Sequence, residues 1–183
     1  MKKTIIWVVS ILVLIFLMIG AVFLYEKLSE EYAPQTDVTD NGEAVSYKAP
    51  DFEVVDENGN TVRLSDFFGK PIVLNFWASW CPPCKAEMPE FDEIYKQCGD
   101  EICFLMVNSI GGRETLETAK SFLASTSYTF PVYFDTKYDA AMTYGISSLP
   151  TTIFIDKDGN LVTYANGAID GATLLKGIEM IKE

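Results

Sequence analysis

The 183-residue chain contains no histidine. That absence removes Ser-His and Cys-His catalytic pairs, His-ligated haem and mixed Cys/His zinc sites. Any proton handling falls to carboxylates, Lys, Tyr, Cys or water. Positive charge is also scarce: 14 Lys and Arg stand against 26 Asp and Glu, a formal net charge of −12. An acidic surface repels nucleic acid and anionic lipid heads, so neither is an expected partner. There is no nucleotide-binding motif and no internal repeat. What remains is 49% hydrophobic and 13% aromatic, enough to bury a core, which excludes disorder. The length suits one domain with attachments.

Much of the apolar excess lies at the start. After Met1-Lys2-Lys3-Thr4 the residues from Ile5 to Leu24 are interrupted only by Ser10 and Gly20. A run of about 20 apolar residues matches the hydrocarbon thickness of a bilayer. A cleaved signal peptide is the competing reading. Its apolar region is usually about 7–15 residues with a small-x-small cleavage site. Here the run is longer and is succeeded by Phe23-Leu24-Tyr25-Glu26-Lys27, with no such site and no Cys to take a lipid. Lys2 and Lys3 precede the span, so the positive-inside bias keeps residues 1–4 in the cytoplasm and exports the chain beyond Tyr25. The expected layout is a transmembrane anchor over 5–25, a tether over 26–48 and a folded domain over 49–183. The exported part keeps 12 of the 14 basic residues against all 26 acidic ones, which is −14.

Within the domain, short apolar runs alternate with helical stretches. Phe52–Val55 and Thr61–Leu64, joined by Glu57-Asn58-Gly59-Asn60, read as a hairpin. Ile72–Trp77 is a continuous apolar strand of the kind buried on both faces. Pro82 to about Gln97 reads as a helix with Met88, Phe91, Ile94, Tyr95 and Cys98 on one stripe. Ile102–Val107 is a second buried strand. A helix is expected from Arg113 to about Ala124, with Leu116, Ala119, Phe122 and Leu123 toward the core. Val132–Phe134 is a short strand, and Lys137–Tyr144 a short helix stopped by Gly145. Thr151–Ile155 and Leu161–Tyr164 flank a strong turn signal, and Ala172–Ile181 is a closing helix. The pattern argues an α/β sandwich around a mixed sheet.

Chemistry is concentrated in Trp80-Cys81-Pro82-Pro83-Cys84-Lys85, where a buried strand hands over to a helix. A Cys at a helix start points its sulfur at unpaired N–H groups and the positive end of the dipole, which favours thiolate. Pro82 and Pro83 suit the first turn, where an N–H has no intrahelical partner. Cys84, one turn on, can close a disulfide with Cys81. Cys81 is expected to be the exposed attacker and Cys84 the shielded resolving thiol. A purely structural disulfide has no reason to sit at this junction. A four-cysteine zinc site would recruit Cys98 and Cys103, but Cys84 and Cys98 are about 20 Å apart along one helix, against Zn–S bonds of about 2.3 Å. Copper delivery would normally add His or paired Met.

The segment Val73-Leu74-Asn75-Phe76-Trp77-Ala78-Ser79-Trp80-Cys81-Pro82-Pro83-Cys84-Lys85 resembles the active-site segment of the thioredoxin superfamily. More narrowly it is similar to the TlpA/ResA-like membrane-anchored thiol–disulfide oxidoreductases, which carry a redoxin or AhpC/TSA-like domain. Ala49-Pro50-Asp51-Phe52, Leu64 to Pro71 and Ser148-Leu149-Pro150-Thr151-Thr152 support the resemblance, which runs from about Ala49 onward. It implies a thioredoxin-like three-layer sandwich with an N-terminal β-hairpin extension, and a cis Leu149–Pro150 bond facing the cysteines. The backbone of Leu149 would then be open to a client strand, with Trp80 and Pro82 also on the client side. It places Glu87 near the cysteines, on the face of Cys84, as a proton acceptor or a like charge that raises thiol pKa values; a solvated helix carboxylate is the alternative. Cytosolic thioredoxins bury an acid where this chain has Asn75, which cannot titrate. Pro89 matches the superfamily's helix-kinking proline, and Trp77 and Trp80 read as packing.

No cofactor is implied beyond a Cys81–Cys84 redox disulfide. The resemblance implies reduction of disulfides in exported client proteins, cytochrome c maturation included, with a membrane thiol carrier (CcdA/DsbD-like) as electron donor. A disulfide-forming oxidase, a dedicated relay to an exported sulfoxide reductase or peroxidase, and a non-catalytic surface scaffold are the other readings. A peroxiredoxin is disfavoured, because no lone Cys comes after a Pro-x-x-x-Thr stretch. Cys98 and Cys103 could span a tight loop as a second disulfide, but read slightly better as two buried thiols.

Overall fold

A computed structural model of the chain describes residues 47–182 and, before them, Trp7, Met18 and Gly20. The chain divides into two units, Met1–Val45 and Ser46–Glu183. In the first, the three described residues are helical; the expected anchor and most of the tether otherwise lie outside the described residues. Among the described residues no helix is long and apolar enough to cross a membrane.

The second unit holds one eight-stranded mixed sheet. In chain order its elements are β1 (Tyr47–Lys48), β2 (Glu53–Val55), β3 (Thr61–Arg63), a 3-10 turn (Leu64–Phe67), β4 (Ile72–Trp77), α1 (Pro82–Cys98), β5 (Cys103–Asn108), α2 (Leu116–Ala124), β6 (Val132–Phe134), α3 (Asp139–Thr143), β7 (Thr151–Ile155), β8 (Asn160–Asn166) and α4 (Gly171–Lys182). The spatial order is β1-β8-β7-β4-β5-β6-β2-β3. β4 runs parallel to β5, and β5 to β6, while β7 lies antiparallel to β4. The β2–β3 hairpin joins the β6 edge through Val55 and Phe134. At the other edge Tyr47 and Lys48 pair with Leu161 and Asn160, so the sheet starts two residues inside the expected tether.

Period-two alternation divides the core. Val73 and Trp77 of β4, Phe104 and Met106 of β5 and Phe154 of β7 join Met88, Phe91 and Ile94 of α1 and Leu174 and Ile178 of α4 in one cluster. Ile72, Leu74 and Phe76, Leu105 and Val107, and Ile153 and Ile155 form the other with Phe52, Leu64 and Ala140. By the same alternation Asn75 of β4 faces α1, the side of the sheet on which Cys81 and Cys84 pack.

Two expectations are corrected. α2 starts at Leu116 rather than Arg113 because Gly111 and Gly112 take positive φ and bridge back at Glu114, and Thr115 then caps the helix by accepting from the Thr118 N–H. Leu116, expected in the core, is 39% exposed in that first turn; Ala119 is buried.

Candidate active site

The turn from β4 into α1 is built from its ends inward. The Cys81 N–H donates to the Ala78 carbonyl at 3.1 Å, and the Ser109 N–H donates to the Trp77 carbonyl at 2.9 Å. Cys81 is the N-cap of α1, with extended φ and ψ, and Pro82 and Pro83 occupy the first two helical positions. The Cys84 N–H donates to Cys81 Sγ at 3.2 Å, an orphan helix donor turned onto sulfur. Cys81 and Cys84 are joined by a disulfide of 2.02 Å with Cα atoms 5.3 Å apart. The expectation of an exposed Cys81 is not met: it keeps 2% of its surface and Cys84 none. The reason is packing, since both sulfurs belong to the α1-side cluster with Trp77 and Ala78, against which Leu149 also packs.

Three residues after Cys84 on α1 sits a buried acid. Glu87 retains 3% of its surface, which rules out the solvated alternative. Its Oε1 accepts from Asn75 Nδ2 at 2.9 Å and its Oε2 from the Ile169 N–H at 3.0 Å. Asn75 Nδ2 also reaches Thr152 Oγ1 at 2.9 Å, and Asn75 and Thr152 are register partners across β4 and β7. None of the ion pairs among the described residues includes Glu87. Burial therefore prevails over the two hydrogen bonds, which pull the other way, and pushes the carboxyl up to about 7. The strand carries the amide and the helix the acid.

The Leu149–Pro150 peptide is cis. Leu149 packs against both core clusters, and the Pro150 carbonyl accepts from the Gly167 N–H at 2.8 Å. Trp80 is 43% exposed, with the Arg113 guanidinium 4.9 Å from its ring centre. Pro82 is exposed as well, two positions along the chain. Trp77 is buried against Phe122, so the two tryptophans serve different surfaces.

Sequence reasoning missed a second buried carboxylate. Glu114 is 1% exposed; its Oε2 accepts from the Ser79 N–H at 3.1 Å and Ser79 Oγ at 2.9 Å, and its Oε1 from Asn108 Nδ2 at 3.3 Å. With Arg113 on Trp80, consecutive residues grip the two positions before Cys81. The legible sign was Asn108 itself, an amide at the end of an apolar strand that demands a partner. Cys98 and Cys103 are free thiols. Cys98 packs on the α1 side of the sheet and Cys103 on the other, so the sheet separates them. Burial raises both thiol pKa values.

A thioredoxin-like α/β fold with a redox-capable disulfide capping its first long helix defines a thiol–disulfide oxidoreductase. The model of the AhpC/TSA family matches residues 45–164. A thiol–disulfide oxidoreductase ResA of Geobacillus kaustophilus is 39% identical over 142 residues, 76% of this chain and 79% of that one. The ResA of Bacillus thuringiensis subsp. konkukian is 39% identical over 126 residues, 67% of this chain and 70% of that one. Among solved structures, the pneumococcal exposed lipoprotein thioredoxin of Streptococcus pneumoniae is 38% identical with a TM-score of 0.64, covering 71% of this chain and 98% of that one. A thiol:disulfide interchange protein DsbE of Chlorobium tepidum, so described provisionally, is 31% identical with a TM-score of 0.67, over 73% and 94%. The chain belongs to the AhpC/TSA family, in the company of its ResA-type thiol–disulfide oxidoreductases.

Proposed function

We propose that the chain is an extracytoplasmic reductase of disulfides in exported proteins, apocytochromes c among them, anchored in the membrane by residues 5–25. The observation that carries the direction is Glu87, buried one helical turn after Cys84 with its carboxyl near 7. Oxidising members of this chemistry stabilise their reduced form by stabilising a thiolate. A buried carboxyl without a cation disfavours a thiolate beside it and so opposes the pull of the helix terminus on Cys81. The reduced pair is then the less stable one, and it gives its electrons away. The pneumococcal neighbour's description as an exposed lipoprotein and the apolar run of residues 5–24 support the location.

In the proposed cycle the Cys81 thiolate attacks one sulfur of a client disulfide lying along Trp80, Pro82, Leu149 and Pro150. A Cys81–client disulfide forms, and the other client sulfur leaves as a thiolate that takes a proton from water. Glu87 takes the proton of Cys84, whose thiolate attacks Cys81 Sγ; the Cys81–client bond breaks and the second client sulfur leaves as a thiolate, which then takes a proton from water. Two electrons pass to the client, and Cys81–Cys84 closes. A membrane dithiol carrier reopens it by the same exchange in reverse.

The test is equilibration of the full-length chain in thiol redox buffers. A potential at or below that of thioredoxin, about −270 mV, is expected, and one near about −120 mV would overturn the reductase reading. A Cys84→Ser chain should accumulate mixed disulfides with exported proteins, and the identity of those proteins tells general client reduction from a relay to one enzyme. A surface scaffold would accumulate none.

A further inference from the structure

Beside the cysteine turn, a cavity of about 220 Å³ is lined by Trp80 and Tyr138. Leu149, Ile146, Ala141 and Ser109 are among its other lining residues. Both rings keep 43% of their surface exposed. The volume exceeds the roughly 150 Å³ of an apolar cavity that admits benzene.

The slot is held open at a cost to the backbone. Tyr138 is the one non-glycine residue with positive φ among the described residues, at 61°. A side chain makes that region unfavourable, and such residues collect at ligand sites. Its ring lies over Gly111, where an added Cβ would come within 2.1 Å of the Tyr138 hydroxyl oxygen. Gly111, at φ 130°, is therefore needed twice over. Trp80, also in the lining, has the Arg113 guanidinium 4.9 Å from its ring centre. Ser109 Oγ is buried with no hydrogen-bond partner among the described residues, in a lining that is otherwise largely apolar. An unmatched hydroxyl in such a place calls for a partner from outside.

We infer that this slot is a client subsite taking one aromatic side chain, best one with a hydrogen-bonding tip such as tyrosine, close to the client's disulfide. The inference rests on the reading that the chain acts on protein disulfides. Trp80 is bonded to Cys81 and Leu149 to Pro150. A peptide whose sulfur reaches Cys81 while its backbone runs along Leu149 advances about 3.3 Å per residue. The residue entering the slot is therefore within two positions of the attacked cysteine. The ring would pack against Trp80 and Tyr138, and its hydroxyl would satisfy Ser109.

The experiment uses the pre-reduced full-length chain and short peptides with an internal disulfide, varied to Ala, Leu, Phe or Tyr at the positions flanking one cysteine. Hydroxyethyl disulfide, which has no side chain for the slot, serves as the control substrate. At one flanking position kcat/KM for Tyr and Phe should exceed that for Ala by about tenfold, the scale on which an apolar pocket discriminates. The difference should lie in KM. Tyr138→Gly removes one wall while suiting the positive φ, so folding is spared, and it should collapse the Phe/Ala ratio toward one. Ser109→Ala should erase the advantage of Tyr over Phe and leave that of Phe over Ala. Turnover of every peptide with no aromatic preference would overturn the subsite and leave the thiol chemistry standing. Failure to turn over hydroxyethyl disulfide and all the peptides would overturn both.

Discussion

Glu87→Gln isolates the buried carboxyl beside the cysteine helix turn. In the folded, oxidised chain this carboxyl keeps its proton to about pH 7, whereas its ordinary value is 4.5. Between those values the folded chain binds more protons than the unfolded one, so stability falls as pH rises through the window. The contribution is intact below about 4.5 and fully lost above about 7. At roughly 1.4 kcal/mol per unit, the displacement is worth about 3 kcal/mol. Glutamine does not titrate. Its single oxygen can serve either Asn75 Nδ2 or the Ile169 N–H, and the donor left over costs about 1–3 kcal/mol at every pH. The variant should therefore be the less stable protein at pH 5 by about 1–3 kcal/mol, and by pH 8 the difference should move about 3 kcal/mol in its favour, closing or reversing the gap. Urea unfolding of the oxidised full-length chain and its variant, in half-unit steps from pH 4.5 to 8, measures that difference directly. A difference curve flat in pH would refute the reasoning, because the carboxylate would then be ionising as if solvated.

Three further outcomes are expected from packing and hydrogen bonding. Glu114→Ala strands the Ser79 N–H, Ser79 Oγ and Asn108 Nδ2 and should cost about 2–4 kcal/mol in urea unfolding; a cost under about 1 kcal/mol would mean that water replaces the carboxylate. Gly177→Ala places a Cβ within 2.3 Å of the Phe154 ring, and the overlap should outweigh the gain in helix propensity, for a net loss of about 1–2 kcal/mol. A raised thermal midpoint would contradict that packing. Alkylation of the air-oxidised chain in denaturant should find two thiols, at Cys98 and Cys103, and four after reduction; none before reduction would mean that the second pair is bridged.

The linear pattern was enough for the class of protein. A continuous apolar run at Ile72–Trp77 and two cysteines separated by two prolines define a buried strand, a helix start and a nucleophile at the junction, because each signal acts over a few residues. Helix boundaries on either side of α1 were legible for the same reason. The hairpin at Glu53–Arg63 was too, since its turn residues are local. The start of α2 was not: the Gly111–Gly112 turn brings Glu114 under Ser79, and that contact crosses 35 positions of sequence.

Tertiary structure decided the electrostatics. The spacing of Glu87 from Cys84 shows a shared helix face but says nothing of what covers that face. Burial came from β4, β7 and the loop before α4 closing over it, through Asn75, Thr152 and Ile169. Packing with Trp77, Ala78 and Leu149 buried Cys81, which spacing alone left exposed. Cys98 and Cys103 are five positions apart in the chain, yet the sheet lies between them. Local signals set which residues can react and where each element begins. Desolvation and facing are properties of what packs from elsewhere in the chain, so they exist only once the sheet has formed.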